Sequence, residues 1–330
     1  MTATLTDVAR AAGVSLATAS RAFGEPDRLA RATLERVLAA AAELGYANAN
    51  ANGGERAFGA LVPDVASPVY ATLLKGIHAQ AWHGRHRVVL FDTDEDVHRE
   101  REQIERARRL NGILLCSPRL PDDEIRELIG DTPAVVVNRV IEGVPSVVMD
   151  TENGPRQAVE HLAALGHRHI AYAAGPRLSW ADIRRGDAIA RACERQGVRL
   201  TRLNHQSASI QGGRAAAAPA LASGATAVIA YNDLIALGID AGIADLGRSC
   251  PEDLSIVGVD DIEMASARQP GLTTVRLAIG RCGSLAVEVL LEAMSGGTAR
   301  ELASLDSQLI VRGSTAPPPS PTRDSSAPAG

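Results

Sequence analysis

From Phe58 onward the chain alternates two textures, and that alternation constrains the fold more than any other feature. Short β-type runs ("GALVP", "RVVLF", "GILLC", "AVVVN", "IAYAA", "AVIAY" and "LSIVGVD") are separated by helical patterns over 70–82, 99–110, 157–165 and 234–246. Strands interleaved with helices in this way predict parallel sheets with helices packed on both faces. The 330 residues leave room for two such lobes and a smaller domain.

The first 46 residues read as three helices instead. Thr4 is placed to cap the first, with Asp7 three residues on near its positive end. Leu5, Val8, Ala9 and Ala12 share one inward face, and Gly13 suits the stop and turn. Ser15 is placed to cap a second helix whose inward set is Ala19, Ala22 and Phe23. A third helix carries Leu34, Val37, Leu38, Ala41 and Leu44 before Gly45. "ANANANGGE", 47–55, has no large apolar residue and reads as a linker, while the Pro/Ser-rich tail over 316–330 has the composition of a disordered segment.

Composition excludes several classes. No apolar run approaches membrane-spanning length and the N-terminus lacks a basic-then-apolar leader, so the expectation is a cytosolic protein with no membrane partner. Cys116, Cys193, Cys250 and Cys282 are scattered without C-x-x-C spacing, which favours buried reduced thiols over a disulfide framework or zinc site. No P-loop, GxSxG, H-E-x-x-H or dinucleotide fingerprint occurs, and Cys116, Asp92 and Asp94 near strand ends have no partner at a telling spacing. Neither an enzyme nor a cofactor site is expected. The net charge of −5 requires any affinity for nucleic acid to be local.

"DVARAAGVSLATASRAF", residues 7–23, is where such affinity would reside. Ala9 and Ala12 let two short helices approach closely around "GVS", giving a helix-turn-helix. The second helix then turns outward Leu16, Ala17, Thr18, Ser20 and Arg21. Hydroxyls at Thr18 and Ser20 suit phosphate oxygens, Arg21 suits a guanine edge, and Leu16 and Ala17 offer apolar contact such as a thymine methyl. Periodicity alone describes an alanine-rich helical hairpin equally well.

The residue string goes further. "LTDVARAAGVSLATASRAF", followed by "TLERVLAAAAELGY", resembles the DNA-binding headpiece of the LacI-type (lactose/purine repressor) transcription factors. "SPVYATLLKGI", "HLAALGHRHIAYAAGP", "TAVIAYNDLIALGI", "DLSIVGVDDIEMA", "PGLTTVR" and "VRGST" are similar to that family's landmarks, in order, to Thr315. The resemblance implies an all-α headpiece over 1–46, a linker over 47–57, and a periplasmic-binding-protein-like core of two doubly wound parallel-sheet lobes. Lobe one would span about 58–151 and 279–308, and lobe two about 152–278 and 309–315. It also implies a homodimer, through the helices near 70–82 and 281–294, that binds a double-stranded DNA operator under control of a sugar-like effector.

Three features depart from that pattern. Ala30 stands where the family caps its third helix with serine. Residues 1–46 balance Arg10, Arg21, Arg28, Arg31 and Arg36 against Asp7, Glu25, Asp27, Glu35 and Glu43, whereas phosphate binding favours an excess of cations. Between Tyr46 and Phe58 there is no Leu, Ile, Val or Met to serve as the minor-groove wedge that the resemblance implies. Operator binding resting on the helix-turn-helix alone would be weaker, less bent and strongly salt-sensitive. The competing reading is a carbohydrate sensor of the same fold with weakened or lost DNA binding.

Ligands of two-lobed parallel-sheet proteins bind at the carboxyl ends of the strands. Aromatic residues make up only 3% of the chain, so Tyr70 and Trp180, each following a strand, are candidates for stacking on a sugar ring. By resemblance Asn232 of "YND" and Asp260 of "VGVDD" match ligand positions, and Arg185 is preferred over Arg184 for the family's ligand arginine. Asp64 and Asn138 at strand ends complete the set. An Asn-Asp pair after a strand equally well caps a helix. His167 and His169 form an H-x-H, but in "LGHRHI" they fit a helix-to-strand turn better than a metal site.

Overall fold

The computed structural model describes residues 4–24, 29–44, 56–295 and 302–319. Most of the expected linker and tail, and the side chain of Phe23, lie outside the described residues. Contacts divide the chain into residues 1–58 with 81–89, and residues 59–80 with 90–330.

In the first unit, α1 (Leu5–Ala11), α2 (Leu16–Gly24) and α3 (Arg31–Glu43) form the headpiece. The Asp7 N–H donates to Thr4 Oγ1 at 3.3 Å and the Thr4 N–H donates to Asp7 Oδ2 at 3.0 Å, a reciprocal cap on α1. Gly13, at φ +62°, takes the left-handed turn that glycine permits. Val8, Ala9, Ala12, Ala19, Ala22, Val37, Ala40 and Ala41 make one buried cluster. Its alanines allow close helix contact but each contributes little apolar area. Leu38 and Leu44, expected inside, are 45% and 41% exposed. Leu38 follows Val37 by one residue, about 100° of helical turn, and leaves the buried face that Val37 shares with Ala40 and Ala41.

Lobe one contains β1 (Ala57–Val62), α4 (Pro68–His83), β2 (Arg87–Asp92), α5 (Val97–Ala107), β3 (Gly112–Cys116), α6 (Asp122–Ile129), β4 (Ala134–Val137) and β5 (Ser146–Met149). Lobe two contains α7 (Asn153–Ala164), β6 (His169–Ala173), α8 (Trp180–Gln196), β7 (Arg199–Arg202), α9 (Ile210–Ala222), β8 (Ala227–Ala230), α10 (Asp233–Asp245), β9 (Ser255–Asp260), α11 (Glu263–Ala267) and β10 (Thr273–Leu277). Then α12 (Ile279–Met294) and β11 (Leu302–Leu305) return to lobe one, and β12 (Ser307–Ile310) closes lobe two.

The two sheets repeat one strand order, β11-β5-β4-β3-β1-β2 and β12-β10-β9-β8-β6-β7. Ladders from β3 through β4 and β5 to β11, and from β7 through β6, β8 and β9 to β10, are parallel, while β12 pairs antiparallel with β10. The chain returns to lobe two at Asp306: Ser307 and Gln308 pair with Leu277 and Arg276, two residues earlier than the resemblance suggests.

In lobe one, Leu61, Ile113, Leu115 and Val136 pack with Ile104 and Ala107 of α5 and Ile125 and Ile129 of α6. α12 packs against β3, β4 and β5. In lobe two, Val228, Ala230 and Ile256 pack with Ile235, Ile239 and Ile243 of α10 and with Ala216, Ala217 and Ala220 of α9. α4 and α12 meet through glycines: a Cβ on Gly76 would lie 2.0 Å from the Gly280 carbonyl oxygen, and one on Gly283 would lie 2.3 Å from that of Leu73. The lobe crossings are tied by Ser307, whose hydroxyl donates to Asp150 Oδ2 at 2.8 Å and accepts from the Gly154 N–H at 2.8 Å.

All four cysteines are buried. His167 and His169 have different partners: His167 is within hydrogen-bond distance of Thr226 Oγ1 and the Ala316 carbonyl, and His169 of Thr201 Oγ1. Among the described residues no helix is long and apolar enough to cross a membrane. In each sheet the order reverses beside the lobe's first strand, β1 or β6, which opens a crevice at the carboxyl ends.

Candidate functional site

The helix-turn-helix is built by α1 and α2. Ser15 Oγ accepts the Thr18 N–H at 3.1 Å, capping α2. Ala19 and Ala22 face inward, so Leu16, Ala17, Ser20 and Arg21 fall on the exposed side. Thr18 is half-buried, and its hydroxyl lies 2.8 Å from that of Ser15. Arg10 pairs with Asp7 at 3.2 Å and Arg31 with Glu35 at 2.9 Å, each within its own helix. The two Thr4 hydrogen bonds, more than the Arg10 charge, hold the Asp7 carboxyl below its ordinary value. Arg21 is exposed and has no acidic partner among the described residues. Ala30 stands just before α3; its carbonyl accepts the Thr33 N–H at 2.8 Å, and its side chain cannot cap.

The second site is a narrow cleft with about 40 Å³ of water-accessible space beneath an open mouth. From lobe one it is lined by Asp64 beyond β1, Tyr70 in the first turn of α4, and Asn138 beyond β4. From lobe two it is lined by Arg185 of α8, Asn232 beyond β8, and Asp260 at the end of β9.

Arg185 Nη1 donates to the Tyr231 carbonyl at 2.7 Å, its guanidinium stands 4.9 Å from the Tyr231 ring centroid, and its Nη2 is 3.8 Å from Asp260 Oδ1. Asp260 has φ 115°, a backbone position that L-residues rarely occupy. Burial raises its carboxyl to about 7, against the opposing pull of Arg185. Asn232 both caps and lines: its Oδ1 accepts the Ile235 N–H at 2.9 Å, so the side-chain amide can donate to a ligand. Beside it, buried Asp233 accepts from the Ile262 N–H at 2.9 Å and from Thr274 Oγ1 at 2.5 Å. Burial and the neighbouring Asp260 hold Asp233 well above the carboxylate range.

In lobe one, Asp64 Oδ1 accepts the Ala66 N–H at 2.8 Å and shapes the turn into α4. Asn138, at φ 60°, donates from Nδ2 to Ser117 Oγ at 3.1 Å, and its buried Oδ1 has no partner among the described residues. Such a buried acceptor is chemically able to receive a hydroxyl. Burial raises the Tyr70 phenol well above its ordinary value, opposed by the Arg119 charge and the Ser117 hydroxyl.

Trp180 is not brought into this cleft. It begins α8, and its ring lies beneath the Arg184 guanidinium at 5.7 Å. Residues 180 and 184 share a helix face, whereas Arg185 turns inward. Arg184 pairs instead with Glu152 at 2.6 Å. The aromatic residue that lobe two contributes is Tyr231, whose hydroxyl is 3.0 Å from Ser179 Oγ. Sequence reasoning also missed Glu95 and Arg119. Arg119 donates from Nε and Nη2 to both Glu95 oxygens at 2.8 Å and from Nη1 to the Ser117 carbonyl at 3.0 Å. Its backbone N–H donates to buried Glu100 at 2.9 Å, and burial raises the Glu100 carboxyl.

These surroundings fit the comparisons with known proteins. Residues 4–48 match the family model described as bacterial regulatory proteins, lacI family, and residues 159–315 match a periplasmic binding protein-like domain. The regulator GalS of Salmonella typhimurium is 32% identical over 89% of this chain and 90% of its own. A LacI family regulator from Enterococcus faecalis with bound ribose superposes with TM-score 0.72 at 29% identity, over 79% of this chain and 99% of that one. The lac repressor dimer bound to operator and the anti-inducer ONPF superposes with TM-score 0.75 at 27% identity, over 96% and 100%. With a helix-turn-helix ahead of two repeated α/β lobes and similarity along nearly its whole length, the chain belongs to the LacI family of bacterial regulatory proteins.

Proposed function

We propose that this protein is a cytoplasmic transcriptional repressor that binds operator DNA as a homodimer and is controlled by a sugar-like effector between its lobes. Leu16, Ala17, Ser20 and Arg21 would meet the major groove, while Thr18 braces Ser15 at the start of the reading helix. Tyr70, Arg185, Asn232 and Asp260 would hold the effector, with Asp64 and Asn138 lining the lobe-one wall. The protein binds rather than catalyses.

The observation that carries this reading is that polar side chains from the carboxyl ends of both lobes line one cleft, in a chain that also carries a helix-turn-helix. Hydroxyl-rich ligands need such a mixture of donors and acceptors beside an aromatic face. A ligand touching both lobes favours one lobe orientation. In a symmetric dimer that would change how well two headpieces match half-sites about one helical turn apart.

The test is fluorescence anisotropy on duplexes from upstream of the protein's own coding region, with and without ribose, cellobiose, galactose and nucleosides. Specific binding that at least one of these alters is the expected result; binding to no duplex at low ionic strength sinks it. The balanced headpiece charge and the linker composition favour a second reading, a sugar sensor with weak DNA binding. It predicts a sugar-dependent thermal shift without a specific DNA complex.

A further inference from the structure

The charged groups lining the cleft include one more carboxyl than guanidinium. Asp64, Glu95 and Asp260 set three carboxylates against the guanidiniums of Arg119 and Arg185. We infer that the site takes an uncharged, polyhydroxylated ligand and refuses a phosphorylated one, and that Glu95 is the residue that sets this refusal. The inference rests on the effector reading above and narrows it.

An arginine that receives phosphate offers the ligand its planar fork. In Arg119 that fork is closed: Nε and Nη2 each meet a Glu95 oxygen at 2.8 Å, and Nη1 serves the Ser117 carbonyl. The pair is held from both ends. Arg119 is only 6% exposed with its backbone N–H on Glu100, and Glu95 occupies a left-handed turn at φ 56°. Arg185 has Nη1 committed to the Tyr231 carbonyl, and its Nη2 faces the Asp260 carboxyl at 3.8 Å. A phosphate would have to displace a carboxylate or lie against one, and like charges in a desolvated site discriminate by repulsion. A hydroxyl both accepts and donates, so one seated beside the pair can contact both Arg185 Nη2 and Asp260, which lie 3.8 Å apart.

The experiment compares wild type with Glu95→Gln, which keeps the shape and removes the charge. Thermal shift and calorimetry use inorganic phosphate, ribose 5-phosphate and ribose, against chloride at matched ionic strength. Wild type should gain no phosphate-specific stabilisation. Glu95→Gln should bind ribose 5-phosphate about tenfold or more tightly than wild type does, and Glu95→Gln combined with Arg119→Met should lose that gain. Phosphate-specific binding by wild type overturns the inference, as does a Glu95→Gln protein that gains none. If Glu95→Gln does not fold, Asp260→Asn reads the same question through Arg185, with the same two outcomes. None of these results depends on a neutral sugar altering operator binding, so failure here is distinct from failure of the effector reading.

Discussion

Arg185 and Asp260 face each other at 3.8 Å inside the cleft without forming a hydrogen bond. Both are nearly buried, at 4% and 6% exposure. Arg185 is anchored by the Tyr231 carbonyl on its other side, and Asp260 is held at φ 115°, a conformation that costs about 1–3 kcal/mol. The two groups are thus held side by side, close enough for one hydroxyl seated beside the pair to contact both.

Removing one side of that arrangement should cost the effector more than the fold. Asp260→Ala is expected to weaken effector binding by about 30-fold or more, the order seen when a buried charged partner is truncated. Operator binding without effector should stay within a few-fold of wild type. Calorimetry with an effector found by the sugar screen checks this; unchanged affinity removes Asp260 from the site.

The same carboxylate makes a pH prediction. Its folded value, about 7, stands above its ordinary value of 3.8. Between those values the folded state holds a proton that the unfolded state has released, so this group's contribution to stability falls as pH rises from about 4 to about 7. Asp260→Asn removes that trend. The stability of the variant relative to wild type should increase from pH 5 to pH 8 in urea titrations, and a constant difference would show that Asp260 does not titrate there. A ligand hydroxyl that donates to the ionised carboxylate should bind more tightly as pH rises through the same window, by up to tenfold per unit.

Much of the fold is legible because its central strands are apolar throughout: "GILLC", "AVVVN" and "AVIAY" became β3, β4 and β8 with fully buried patterns. β7, reading Arg-Leu-Thr-Arg, is a partly exposed edge strand and carries no such signal. The change of lobe at Asp306 is equally hidden, because pairing partners rather than local residues set it. Within the cleft, Asn232 and Asp260 can be named from the family resemblance, and Asp64 and Asn138 from strand ends. Arg119 follows β3 by three residues and was open to the same logic. Glu95 was not, since it reaches the cleft from a positive-φ turn that the sequence does not announce. Trp180 was singled out for scarcity of aromatics, but the phase of α8 sets it beside Arg184 rather than Arg185.

The crossing of α4 and α12 gives a paired test. A Cβ at Gly76 would meet a backbone carbonyl at 2.0 Å, while the nearest atom to one at Gly280 is 4.0 Å away. Gly76→Ala should therefore lower stability by about 1–3 kcal/mol or more, because backbone cannot step aside as a side chain can. Gly280→Ala should be neutral or stabilise by about 0.4–1 kcal/mol through the unfolded state. Equal effects in guanidinium titrations would contradict the packing.

DNA recognition is the sharpest remaining test, because it separates the reading helix from the linker. Arg10 and Arg31 are engaged by acids in their own helices, which leaves exposed Arg21 as the cation on the outer side of α2. Arg21→Ala should cost about 1–3 kcal/mol of operator affinity and relax preference at one base pair. An equal loss on every duplex would mean that Arg21 meets phosphate instead. Between Tyr46 and Phe58 no Leu, Ile, Val or Met is present to unstack a base step, and wedge-driven kinks need such a side chain. Circularly permuted probes should consequently migrate almost alike when bound. A mobility that swings with the position of the operator would show that a central kink forms without an apolar wedge, and would return the linker to the DNA-binding surface.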